Sequence, residues 1–128
     1  MSKVVLDSSA ILAILDREPG AEKLSLAILS EARISAVNLA EIQTVLVNRG
    51  IPPDEAWLDA CSPVREVIAF SAEQAKIAGG LVNHTRSLGL SLGDRACLAL
   101  GIFLGVPVYT ADRAWKKLKI GVEVHLLR

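Results

Sequence analysis

Short β-branched or apolar runs alternate with helical apolar stripes along the 128-residue chain, and that alternation restricts the folds open to it most. Residues 3–6, 33–36, 64–69, 107–109 and 122–126 read as strands. Between them, residues 8–15, 21–32, 37–49, 54–61, 71–88, 91–104 and 111–118 read as helices. The punctuation agrees. Pro19-Gly20 interrupts one helical pattern, and Gly50 followed by Pro52-Pro53 closes another. Ser71-x-x-Gln74 and Ser91-x-x-Asp94 are capping-box patterns at helix starts. The helix at 91–104 is apolar almost all round after Arg95, so we expect it to be deeply buried. Such a succession predicts an α/β protein: right-handed β-α-β crossovers and a central parallel sheet of about five strands, covered on both faces. In such sheets the chemistry gathers beyond the carboxyl ends of the strands, where strand order reverses.

At 13.7 kDa the chain suits a single domain over residues 1–128. Fourteen Lys+Arg balance fourteen Asp+Glu, which excludes a globally basic nucleic-acid binder and leaves room for a local patch. Aromatic residues are 4%, too few for a grip on single strands by base stacking. Cys61 and Cys97 form no CxxC pair, so we expect buried reduced thiols and no thiolate zinc site. The first apolar run is too short for a signal peptide, and the uncharged stretch at 96–111 is too short to span a membrane. A cytoplasmic protein is the expectation.

Most acids sit among polar neighbours, but four do not. Asp7 follows Val4-Val5-Leu6, Glu41 lies early in the helix after the second strand, Asp94 opens the most apolar helix, and Asp112 follows the fourth strand. If the strands before Asp7 and Asp112 are central, those acids share one crevice. Glu41 fits there better than Asp94, whose helix follows another helix. Four bare carboxylates raise one another's pKa, and a hard divalent cation such as Mg²⁺ or Mn²⁺ relieves this. That chemistry suits phosphodiester hydrolysis and needs neither His84 nor His125. Each acid also has a structural alternative: Asp7, Asp94 and Asp112 as helix caps, and Glu41 paired with Arg49 or Lys3.

The segments Val4-Val5-Leu6-Asp7-Ser8-Ser9-Ala10, Ser35-Ala36-Val37-Asn38-Leu39-Ala40-Glu41, Leu92-Gly93-Asp94-Arg95-Ala96-Cys97 and Val108-Tyr109-Thr110-Ala111-Asp112-Arg113 occur in that order. Together they resemble PIN-domain ribonucleases, most closely the VapC-like toxins of type II toxin–antitoxin pairs. The resemblance implies a three-layer α/β/α sandwich and Mg²⁺- or Mn²⁺-dependent endonucleolytic cleavage of RNA that leaves a 5′-phosphate. It implies Asp7 and Asp94 as direct metal ligands, and Asp112 as a further ligand or the holder of a metal-bound water. Glu41 would orient or deprotonate the attacking water or help to hold a second ion. Ser9 and Thr110 match positions where the family often carries a hydroxyl. Asn38 shares a helix face with Glu41, and helix capping is its alternative.

Arg113, Lys116, Lys117 and Lys119 form an acid-free stretch after Asp112, while Arg95 adjoins Asp94 and Arg86 precedes that helix. Contact with RNA phosphates is the functional reading, for Arg95, Arg113 and Lys116 above all, and a solvated face the structural one. The resemblance further implies a homodimer and a cognate antitoxin. Surplus aliphatic surface on the helical stretches 11–15 and 24–29 marks a candidate groove for that partner. A haloacid-dehalogenase-type phosphatase would need a second Asp where Ser9 stands, and a receiver-type phosphoacceptor would need paired early acids. A non-catalytic PIN-like module that binds RNA or protein is the alternative from another class.

Overall fold

The structure is a computed structural model that describes residues 2–128. Five strands, β1 (Val4–Leu6), β2 (Ala32–Ser35), β3 (Glu66–Ile68), β4 (Val108–Thr110) and β5 (Val124–Leu126), form one sheet in the order β3-β2-β1-β4-β5. Every pairing is parallel. β1 is therefore central, and its register with β4 sets Leu6 beside Tyr109. The chain builds outward from β1 through β2 and β3, then returns to the other side of β1 with β4. The reversal places a switch point between β1 and β4, directly beneath Asp7 and Asp112.

Alternation along β1 divides the core. Val4 and Leu6 pack with Ile34 against α1 (Ser8–Leu15), α3 (Ala36–Asn48) and α4 (Pro53–Cys61), through residues such as Ile11, Leu39, Ile42 and Ala56. Val5 faces the opposite layer, with Leu98, Leu100, Val108 and Trp115. That layer is dominated by α7 (Leu92–Leu104), whose residues from Ala96 to Gly101 are all buried. The result is the expected three-layer α/β/α sandwich around a parallel sheet of five strands.

Three expected helices differ. The stretch 21–32 is instead a 3₁₀ turn (Ala21–Lys23) and a short α2 (Leu26–Leu29), because Leu24 leaves helical geometry and the Ser25 hydroxyl caps a new helix at the Ile28 N–H. The stretch 71–88 breaks into α5 (Ala72–Gly80), α6 (Val82–Thr85) and a 3₁₀ turn (Arg86–Leu88). The break follows Gly79-Gly80, two residues that stabilise a helix interior poorly. The stretch 111–118 contracts to a 3₁₀ turn, Arg113–Lys117. Cys97 is buried and free as expected, whereas Cys61 is only half-buried. Gly20, at φ 95°, brings the loop after α1 so close to the Leu127 backbone that a Cβ there would overlap its carbonyl. Among the described residues, no helix is long and apolar enough to cross a membrane.

Candidate active site

At the carboxyl end of the sheet, beside the switch point, a cavity of about 290 Å³ is lined by Asp7, Glu41, Asp94 and Asp112. Ser8 and Ser9 also line it, and Leu12 and Val45 make an apolar wall. The fold assembles the four acids from three kinds of position. Asp7 ends β1 and caps α1, Glu41 lies in the second turn of α3, Asp94 sits at the third residue of α7, and Asp112 caps the turn after β4.

Each carboxylate spends one oxygen on the protein. Asp7 Oδ2 accepts hydrogen bonds from the Ser9 hydroxyl at 2.7 Å, the Thr110 hydroxyl at 3.0 Å and the Ser9 N–H at 3.4 Å. Glu41 Oε1 accepts from the Ser8 hydroxyl at 2.8 Å and the Asn38 carboxamide at 2.9 Å. Asp94 Oδ2 accepts from the Ser91 N–H at 2.9 Å, closing a capping box, and Asp112 Oδ1 accepts from the Ala114 N–H at 3.0 Å. Among the described residues, no hydrogen bond reaches the second oxygen of any of the four. For Asp7 that atom, Oδ1, is buried without a partner. The capping and chemical alternatives raised by the sequence are thus compatible within one side chain: one oxygen holds backbone or hydroxyl, and the other is free.

The electrostatics follow from this packing. Burial pushes the Asp7 carboxyl up to about 6; the Ser9 and Thr110 hydrogen bonds oppose the rise and the Asp94 charge adds to it. Asp94 is also raised, first by burial, with Glu41 and Asp112 contributing repulsion. The Cys97 thiol, one turn beyond Asp94 and fully buried, is pushed well above its ordinary value by burial and by the charges of Asp7, Asp94 and Glu41. Burial is the leading cause for all three, and repulsion among the acids adds to it. Among the described residues, no three His, Cys, Asp or Glu side chains stand close enough to hold a metal ion between them. Mg²⁺ and Mn²⁺ need fewer, since they keep several waters and bind through one or two carboxylates. A buried, unpartnered Asp7 oxygen next to Asp94, in an all-oxygen donor set, fits such a cation.

Ser9 and Thr110 form a hydroxyl pair 3.1 Å apart behind Asp7. Ser9 Oγ also accepts from the Ala111 N–H, and Thr110 Oγ1 from the Asp112 N–H, so the pair ties β1 to the backbone that carries Asp112. Asn38 is fully buried inside α3, whose cap is Ser35, so its helix-cap alternative does not hold. Sequence reasoning missed Ser8 and Gly93. A Cβ on Gly93 would fall on the Glu41 carboxylate. The available signals were the tandem hydroxyls after Asp7 and a glycine in the first turn of an otherwise apolar helix. The basic candidates do not reach the cavity wall. Arg95 donates to the Ala78 carbonyl on α5 at 2.9 Å, while Arg113 and Lys116 are exposed on the turn that follows Asp112.

The PIN domain family model matches residues 4–121, nearly the whole chain. The chain belongs to the PIN domain family. Solved structures share its fold across almost their full length. A chain of VapBC2 from Rickettsia felis, bound to a promoter DNA fragment, is 19% identical with a TM-score of 0.74, and 98% of each chain is covered. A chain of DNA-bound VapBC from Salmonella typhimurium is 18% identical with a TM-score of 0.74, and 100% of each is covered. VapC20 of Mycobacterium tuberculosis, described as a sarcin-ricin loop cleaving toxin, is 20% identical with a TM-score of 0.71, covering 94% of this PIN domain and 99% of that chain. No curated protein matches the sequence.

Proposed function

We propose that this chain is a single-domain, metal-dependent endoribonuclease, the toxin of a type II toxin–antitoxin pair. The observation that carries the reading is the cavity itself: four carboxylates in one crevice, each with an oxygen left free, and a buried Asp7 oxygen with nothing to satisfy it. Burying such charge costs stability unless a cation offsets it. Membership of the PIN domain family and the fold shared with VapBC chains support the same reading.

In this proposal Asp7 and Asp94 would hold the metal ion directly and Asp112 would act through a water, since no three such side chains among the described residues stand close enough to share an ion. A bound Mg²⁺ or Mn²⁺ supplies a lowered water pKa and offsets charge on the phosphoryl oxygens. Glu41 presents its free oxygen to the attacking water, orienting it and accepting its proton. Ser9 and Thr110 hold Asp7 by Oδ2 and leave Oδ1 without a protein partner. The water oxygen attacks phosphorus in line as its proton passes to Glu41, the bond to the 3′-oxygen breaks, and that oxygen takes a proton from bulk water and leaves as a hydroxyl, which gives a 5′-phosphate on the other fragment. Arg113 and Lys116, exposed beside Asp112, are placed to meet flanking phosphates. Arg95 donates one guanidinium N–H to the Ala78 carbonyl and so ties α7 to α5 beside Asp94.

A cytoplasmic homodimer with a cognate antitoxin is part of the proposal. Leu26 is 86% exposed on α2, and a cleft of about 330 Å³ is lined by Ile14, Leu24 and Leu29 of the two aliphatic stretches together with Arg17, Glu18 and Glu22. The test is direct. Purified chain incubated with mixed RNA and Mn²⁺ or Mg²⁺ is expected to yield fragments bearing 5′-phosphates, and EDTA is expected to stop the reaction. RNA left intact under all conditions, with the chain still binding RNA or a protein partner, would establish the non-catalytic module instead.

A further inference from the structure

We propose that Ser8, Asn38 and Gly93 form a rigid seat that fixes the orientation of the Glu41 carboxylate at the cavity, so that Ser8 and Asn38 are positioning residues for the reaction. The proposal rests on the nuclease reading above and adds to it the origin of Glu41's orientation.

A glutamate on a helix has three rotatable side-chain bonds and no intrinsic reason to hold its carboxylate still. Here three elements converge on that group. Ser8, the first residue of α1, donates its hydroxyl to Glu41 Oε1 at 2.8 Å. Asn38, one turn earlier in α3, donates one carboxamide N–H to the same oxygen at 2.9 Å and the other to the Gly93 carbonyl at 2.9 Å. Gly93, in the first turn of α7, has no side chain, and the carboxylate lies where its Cβ would be. Both donors thus select Oε1, while Oε2 takes no hydrogen bond and lies against the α7 backbone at the place a Gly93 side chain would claim.

The arrangement reads as positioning because it is poor as stabilisation. Asn38 is fully buried, yet its own carbonyl oxygen, Oδ1, has no partner. An apolar residue would fill that interior place without an unsatisfied acceptor. Asn38 instead satisfies both N–H groups, and one of them braces α3 against α7 at the point where Asp94 begins. The Gly93 floor carries its own penalty, since glycine weakens a helix turn relative to alanine. Two locally unfavourable choices meet on one carboxylate.

A matched pair of substitutions isolates the hydroxyl. Ser8→Thr and Ser8→Val have the same shape, and only the first can donate. We expect Ser8→Thr to cut RNA within about twofold of the native rate, and Ser8→Val to lose about tenfold in kcat with KM unchanged and no fall in melting temperature relative to Ser8→Thr. Equal rates for the two variants would overturn the role of Ser8. For Asn38 the readout needs no activity. By NMR, its side-chain N–H protons are expected to exchange slowly in the native protein and at least about tenfold faster in Glu41→Ala. Fast exchange in the native protein, or no change on removing Glu41, would overturn the seat. If the chain cuts no RNA at all, the nuclease reading falls, while the exchange experiment still decides the geometry.

Discussion

Asp7→Asn is expected to abolish RNA cleavage, by at least about a thousandfold, and at the same time to make the metal-free protein more stable at neutral pH. The two effects have one cause. Asp7 is 3% exposed, and its carboxyl titrates near 6 in the fold against an ordinary 3.8. A carboxyl with the higher pKa in the folded state holds more protons there than in the unfolded chain. Stability therefore falls as pH rises from about 4 through 6, and the full cost is present above that range. The difference corresponds to on the order of 3 kcal/mol. Asn supplies an acceptor oxygen for the Ser9 and Thr110 donors and carries no charge. In EDTA at pH 7.5 its melting temperature should exceed that of the native chain by several degrees. The gap should close on acidification to about pH 4. A variant less stable than the native chain at both pH values would show that Asp7 is an ordinary structural cap.

Thr110→Val is expected to weaken both fold and function, though the two side chains have nearly the same shape. Thr110 is fully buried; its hydroxyl donates to Asp7 Oδ2 and accepts from the Asp112 N–H. Valine deletes one charge-assisted donor and strands one backbone N–H, together about 3 kcal/mol. The Thr110 hydrogen bond also holds the Asp7 pKa down, so its loss raises that pKa further. The destabilisation should therefore be larger at pH 8 than at pH 4. Because Thr110 links Asp7 to the backbone of Asp112, cleavage should fall by about ten- to a hundredfold, with more Mn²⁺ needed for half-maximal rate. Thr110→Ser restores the hydroxyl and should recover most of both losses. A uniform loss of stability across pH, with normal cleavage, would leave Thr110 as packing alone.

The sheet and the positions of Asp7 and Asp112 were legible because both rest on local signals. A buried run such as Val4-Val5-Leu6 needs no partner to declare itself, and an acid after it falls at a strand's carboxyl end by construction. The sequence left capping and chemistry as competing roles for Asp7, Asp94 and Asp112. The structure shows that the competition was false, since a carboxylate has two oxygens and the caps use one. The partner of Arg95 was hidden by its sequence adjacency to Asp94. One step along an α-helix turns a side chain by about 100°, which takes Arg95 from beside Asp94 to the α5 surface. Ser8 and Gly93 were not legible because their contacts with Glu41 span 33 and 52 positions, and no periodicity encodes a meeting across three elements. The broken helices were hidden for a related reason: the long apolar stripe at 71–88 continues through Gly79-Gly80, where the backbone does not.

In the function we propose, Asp7 and Asp94 hold a divalent cation at this crevice, Asp7 first. Calorimetric titration of Mn²⁺ into the purified, EDTA-stripped chain tests it without any substrate. Saturable binding by the native chain, weakened at least about tenfold in Asp7→Asn, is the predicted result. No binding by the native chain, or equal binding by native and Asp7→Asn proteins, would contradict it.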